Sequence, residues 1–68
     1  MKGNFKLPKY RVTRRVITND GPGRIIKIQN HKGNYFYLVE LDRNLFSELD
    51  GINEPESHVY FETDIRYE

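Results

Sequence analysis

Tyr35-Phe36-Tyr37-Leu38-Val39-Glu40-Leu41 decides the fold. Tyr35, Tyr37, Val39 and Leu41 share one phase of a two-residue period, while Phe36, Leu38 and Glu40 share the other. That alternation and the β-branched and aromatic content predict a strand. Only Glu40 among the seven is polar, so the reading is of a central strand covered on both faces, one of them by the chain's N-terminal arm.

Working outward, His31-Lys32-Gly33-Asn34 is a turn before this strand, and Arg24–Asn30 is a strand before that turn. Within it the Ile26/Ile28 phase conflicts with Ile25, which predicts a bulge or a partly covered second face. Asn19-Asp20-Gly21-Pro22-Gly23 is a concentrated turn signal, because glycine permits positive φ and proline fixes its own. Tyr10–Thr18 reads as a further β-rich stretch, and residues 1–9 as a flexible basic arm with Phe5 or Leu7 pinned to the domain. On the C-terminal side, residues 42–57 form a long connection. Leu45, Phe46 and Leu49 stand at helical spacing there, and Asp50-Gly51 offers a stop, predicting one short helical turn. His58–Thr63 is a fourth strand, followed by a turn and a short final strand over 64–68.

The 68 residues suit one domain, taken as residues 10–68 behind the arm. Hydrophobic residues make up 37% of the chain, none is alanine, and large aromatic groups fill a small core with few residues. Four to five short antiparallel strands in so small a chain point to an all-β barrel, since closure removes exposed edges.

Arg15-Val16-Ile17-Thr18, the glycine turn and Arg24-Ile25-Ile26-Lys27-Ile28 together resemble the opening hairpin of KOW and Tudor-type SH3-like barrels. Tyr37-Leu38-Val39-Glu40-Leu41-Asp42 is similar to their third strand, and Val59–Ile65 to the fourth strand and the helical turn that closes the barrel. The resemblance covers residues 14–67 apart from 42–57 and implies a small SH3-like barrel, a fold that hosts many binding roles. Two departures stand out. KOW domains concentrate lysines around the first loop, where this chain has an acid. Tudor readers enclose a cation in aromatic rings, for which this chain offers only Tyr35, Phe36 and Tyr60.

Without cysteine, disulfides, iron–sulfur clusters and thiolate zinc sites are excluded, and two histidines are too few for an all-histidine zinc site. A calcium loop centred on Gly51 would need carboxylates at Phe46 and Ser57, so that reading fails. Gly21-Pro22-Gly23-Arg24 lacks the Gly-Lys-Ser/Thr and the helix of a phosphate-binding loop. Ser47 and Ser57 have no nucleophile pattern, and a barrel of this size has little room for a substrate pocket. The expectation is therefore a non-enzymatic, cofactor-free, cytoplasmic protein with no membrane span and no small-molecule substrate.

Charge is divided sharply. Residues 1–34 carry nine bases and one acid, and residues 35–68 carry two bases and nine acids. Pairing of the two halves as neighbouring strands would neutralise them, and the same division lets one copy complement another, so the chain is read as a monomer or weak homodimer. Two binding classes follow. A protein partner would engage Phe36, Phe46, Leu49, Ile52 and Tyr60. The alternative is nucleic acid held by Arg14, Arg15, Arg24, Lys27 and Lys32, with Tyr35 available for stacking. The first is the preferred expectation, from the charge division, the two-faced third strand and the long connection with Leu45, Phe46, Leu49 and Ile52. That connection reads as a lid on the core before a contact patch.

Overall fold

The computed structural model describes residues 7–47 and 52–68, with side chains over 7–43 and 54–68. The chain is all-β: β1 (Arg15–Thr18), β2 (Gly21–His31), β3 (Asn34–Ser47), β4 (Ile52–Phe61), a 3-10 turn (Glu62–Asp64) and β5 (Ile65–Tyr67). The strands form one antiparallel sheet in the order β4-β3-β2-β1-β5, leaving β4 and β5 at its edges.

Turn chemistry explains the hairpins. Lys32 and Gly33 both have positive φ, 53° and 83°, which is what a two-residue loop between twisted strands demands. The Asn30 carboxamide accepts the Gly33 N–H at 3.2 Å. Between β1 and β2 the loop is only Asn19-Asp20, shorter than the expected five residues. Thr18 Oγ1 accepts the Asp20 N–H at 3.0 Å and donates to the Gly21 carbonyl at 2.9 Å. Gly21-Pro22-Gly23 thus lies in β2, and Pro22 sits before the β3 ladder begins at Gly23, where a missing N–H is tolerated.

The expected bulge is present. Ile25 opposes Val39 and Lys27 opposes Leu38, so Ile26 is the extra residue. The slip puts Ile25 in the core and Ile28 against it while Ile26 turns outward. One face of the sheet carries the core: Val16, Ile25, Tyr37, Val39, Leu41, Tyr60 and Ile65, capped by Tyr10. The Tyr35 phase of β3 is therefore the inward one, and the opposite phase, expected to be covered as well, lies beside the exposed Val59 and Phe61 of β4.

Several expectations are corrected. The connection over 42–57 is not a loop with a helical turn: Asn44, Leu45, Phe46 and Ser47 pair with Pro55, Glu54, Asn53 and Ile52. Continuing the ladder satisfies backbone groups along both strands, whereas a lone helical turn must carry the full nucleation cost. Leu49 and the Asp50-Gly51 stop lie outside the described residues. The first strand is shorter than Tyr10–Thr18, because residues 11–14 make a turn closed by the Arg14 N–H on the Arg11 carbonyl at 3.1 Å. Leu7 is exposed and pins nothing, Phe5 lies outside the described residues, and Tyr10 supplies the anchor.

Candidate functional site

Tyr10 enters the core because three hydroxyls hold the segment before β1. Its own hydroxyl donates to the Ile65 carbonyl at 2.9 Å, and Tyr67 donates to the Lys9 carbonyl at 3.1 Å. Tyr37 donates to Glu62 Oε2 at 2.6 Å, and the same oxygen accepts the Lys9 N–H at 3.0 Å. Burial, and then this bond to Glu62, push the Tyr37 hydroxyl up to about 12, so it stays a donor.

The turn that follows is strained. Thr13 has φ 76°, a region that β-branched residues avoid, and its N–H is fastened to the Ile25 carbonyl at 2.7 Å. The Ile25 N–H in turn donates to the Arg14 carbonyl at 3.0 Å. With the turn fixed this way, Arg14 lies over the Tyr67 ring at 4.6 Å and Lys9 over Tyr10 at 5.4 Å. Tyr10 and Tyr67 meet edge to face at 4.9 Å. Lys9, Tyr10, Arg11, Arg14 and Tyr67 line an open recess of about 310 Å³.

The sheet's outer face is a second surface. Alternation places Phe36 and Leu38 of β3 beside Phe61 and Val59 of β4, and the Phe36 and Phe61 rings lie 4.9 Å apart. Val59 is 57% exposed, Phe61 54% and the bulged Ile26 41%. A shallow groove runs past Gln29, Asn30, His31, Phe36 and Val59. Because β4 is an edge strand, this apolar surface borders unpaired backbone.

The candidates of the nucleic-acid reading are dispersed. Arg15 is clamped by Asp42 in a bidentate pair and by Glu68 at 2.9 Å. The Asp42 bond chiefly, then that to Glu68, raises the Arg15 pKa, and Arg15 holds both carboxyls below their usual range. Arg24 and Lys27 are exposed on β2, opposite Glu40 and Leu38, Lys32 sits in the positive-φ turn, and Tyr35 packs against the core. Arg14 alone of them reaches the recess.

Among the protein-contact candidates, Phe36 is on the outer face. Phe46 and Ile52 are strand residues whose side chains lie outside the described set, as does Leu49 entirely. Tyr60 is corrected: it is a core residue whose hydroxyl donates to Asp20 at 2.6 Å, opposite Tyr37 and on the other face from Phe36. Burial first, then Asp20, raises its pKa. An aromatic cage from Tyr35, Phe36 and Tyr60 is ruled out by the same alternation.

Where β3 and β4 lose register, Arg43 meets Glu56 in two bonds of 2.9 Å, and His58 Nε2 lies 2.8 Å from the same carboxylate. Arg43 chiefly, then His58, lowers the Glu56 pKa to about 2. Among the described residues no three His, Cys, Asp or Glu side chains cluster as metal ligands, and no helix is long and apolar enough to cross a membrane.

Sequence reading missed Leu38, Val59, Phe61 and Ile26 as an outward patch, and Lys9, Arg11 and Tyr67 as recess residues. Pairing Val59 with Leu38 and Phe61 with Phe36 was the signal for the first. The second depends on β5 returning to β1, which brings together residues more than fifty positions apart. No family model, curated protein or solved structure matches the chain.

Proposed function

We propose that this chain is a small non-enzymatic binding domain of the SH3-like type, and that its partner is an extended protein segment lying along the outer face beside β4. The observation that carries this reading is the apolar patch of Phe36, Leu38, Val59 and Phe61 at a free strand edge. A strand added there gains main-chain bonds from β4 and sets alternate side chains against Val59 and Phe61. The strand order, with a 3-10 turn leading into a β5 that returns to β1, supports the SH3-like assignment. The acidic composition of residues 35–68 favours basic residues between the partner's apolar ones. Two carboxylates and a histidine are engaged structurally: Glu56 with Arg43 and His58, Asp20 with Tyr60.

Display selection of random peptides on the folded domain, followed by amide NMR mapping of a selected peptide, tests this. The expected peptides alternate apolar and basic residues and shift β4 and Phe36. The paired change Val59→Lys and Phe61→Lys is expected to weaken them at least tenfold with spectral dispersion intact. Selected peptides that shift other surfaces, or that bind this variant equally well, overturn the proposal.

A further inference from the structure

We propose that the recess of Lys9, Arg11 and Arg14 binds one nucleotide, its phosphate between Lys9 and Arg11 and its base on the outward plane of the Arg14 guanidinium. This site is separate from the outer face and stands independently of the protein-binding reading.

Charge is the first argument. Three cations line the recess and no acid does. Two carboxylates adjoining its residues are engaged elsewhere: Glu62 by the Lys9 N–H and Tyr37, and Glu68, next to Tyr67, by Arg15. An oxyanion entering here meets donors without displacing an ion pair.

Stacking is the second. Arg14 already has its guanidinium carbon over one aromatic ring, 4.6 Å from the Tyr67 centroid. Its opposite plane is the kind of platform on which unpaired bases stack. Tyr67, 49% exposed, and buried Tyr10 make the support rigid, since Tyr67 is bonded to Lys9 and Tyr10 to Ile65. The volume of about 310 Å³ is at the small end of ligand sites, which range over about 300–1,000 Å³, and suits a single nucleotide.

The third argument is strain. Thr13 at φ 76° is held by the Ile25 carbonyl, and it lies inside the turn that the Arg14 N–H closes on the Arg11 carbonyl. A β-branched residue in this conformation costs stability that an ordinary surface turn would have no reason to carry.

The nucleotide can be free or an unpaired member of a strand, and one experiment separates these sources. Amide NMR titrations at low salt would use uridine monophosphate, uridine, inorganic phosphate and a ten-residue uridine oligonucleotide. Uridine monophosphate is expected to shift the amides of residues 9–14 and Tyr67, with uridine and phosphate each at least tenfold weaker. The paired change Arg11→Gln and Arg14→Gln should weaken binding about tenfold or more, and Arg24→Gln with Lys27→Gln less than twofold. A decanucleotide that binds far more tightly through the same amides identifies a strand as the source, and equal affinity identifies the free nucleotide. In the strand case each of Lys9 and Arg11 should contribute about one unit to the salt slope. Phosphate binding as tightly as the nucleotide, equal losses in both variants, or no shifts at all overturn the proposal.

Discussion

Gly23 of β2 faces β3 with no room for a side chain. A Cβ there would stand 2.5 Å from the Glu40 carbonyl oxygen and 2.8 Å from Val39 Cγ1, both on the rigid facing strand. Neither neighbour is a flexible tip, so Gly23→Ala is expected to destabilise the fold by about 1–3 kcal/mol in urea melts. An unchanged midpoint would mean that the two strands separate freely at this point. Glu56 makes a prediction of a different kind. Its pKa falls from 4.5 to about 2 because Arg43, and then His58, favour the carboxylate. A depressed folded-state value adds stability above pH 4.5 that is lost as pH falls through about 2. A carboxyl-carbon NMR titration should place the Glu56 midpoint near 2, and Arg43→Gln should move it upward. A wild-type midpoint near 4.5 would show that the pair does not form in solution.

At the level of the strand, the bulge in β2 separates two adjacent isoleucines that look alike in sequence. Ile25 is fully buried and Ile26 turns outward. Ile25→Ala is expected to cost about 2–5 kcal/mol. Ile26→Thr should stay within about 0.5 kcal/mol, and comparable losses at both sites in denaturant melts would refute the slip. The bulge was legible in the sequence because Ile25 and Ile28 cannot share a face without one extra residue. The strand character of residues 35–41 was legible, but its inward phase was not. With one polar member in seven, both faces read as covered, whereas the Phe36 phase lies beside exposed Val59 and Phe61. The far end of the β3–β4 hairpin was not legible either, since Leu45, Phe46 and Leu49 fit a helical turn as well as a strand, and only the pairing of Leu45 with Glu54 and Phe46 with Asn53 decides. The recess was illegible because local spacing around Arg11 and Arg14 says nothing of Tyr67, which arrives through the β1–β5 pairing.

Among the described residues, the core sets three buried tyrosines among five aliphatic side chains. Tyr10, Tyr37 and Tyr60 each bury a ring and carry a hydroxyl to a partner, and no buried side-chain nitrogen or oxygen among the described residues lacks one. This economy lets a chain of 68 residues hold five strands, and it leaves the apolar outer face and the cationic recess on separate surfaces. The fourteen-residue β3 has one further consequence. The described residues span 55 × 22 × 17 Å, the extents of a rod and not of a sphere for rotation in water. Strand amide bonds lie across the strands, and β3 sets the long direction, so most of them are swept by spinning about that axis, the faster rotation. Nitrogen-15 relaxation should therefore report a shorter effective correlation time for the strand amides than for any N–H directed along the axis. A peptide bound alongside β4 would thicken the rod and reduce that anisotropy without lengthening it, giving a hydrodynamic signature of where a partner lies.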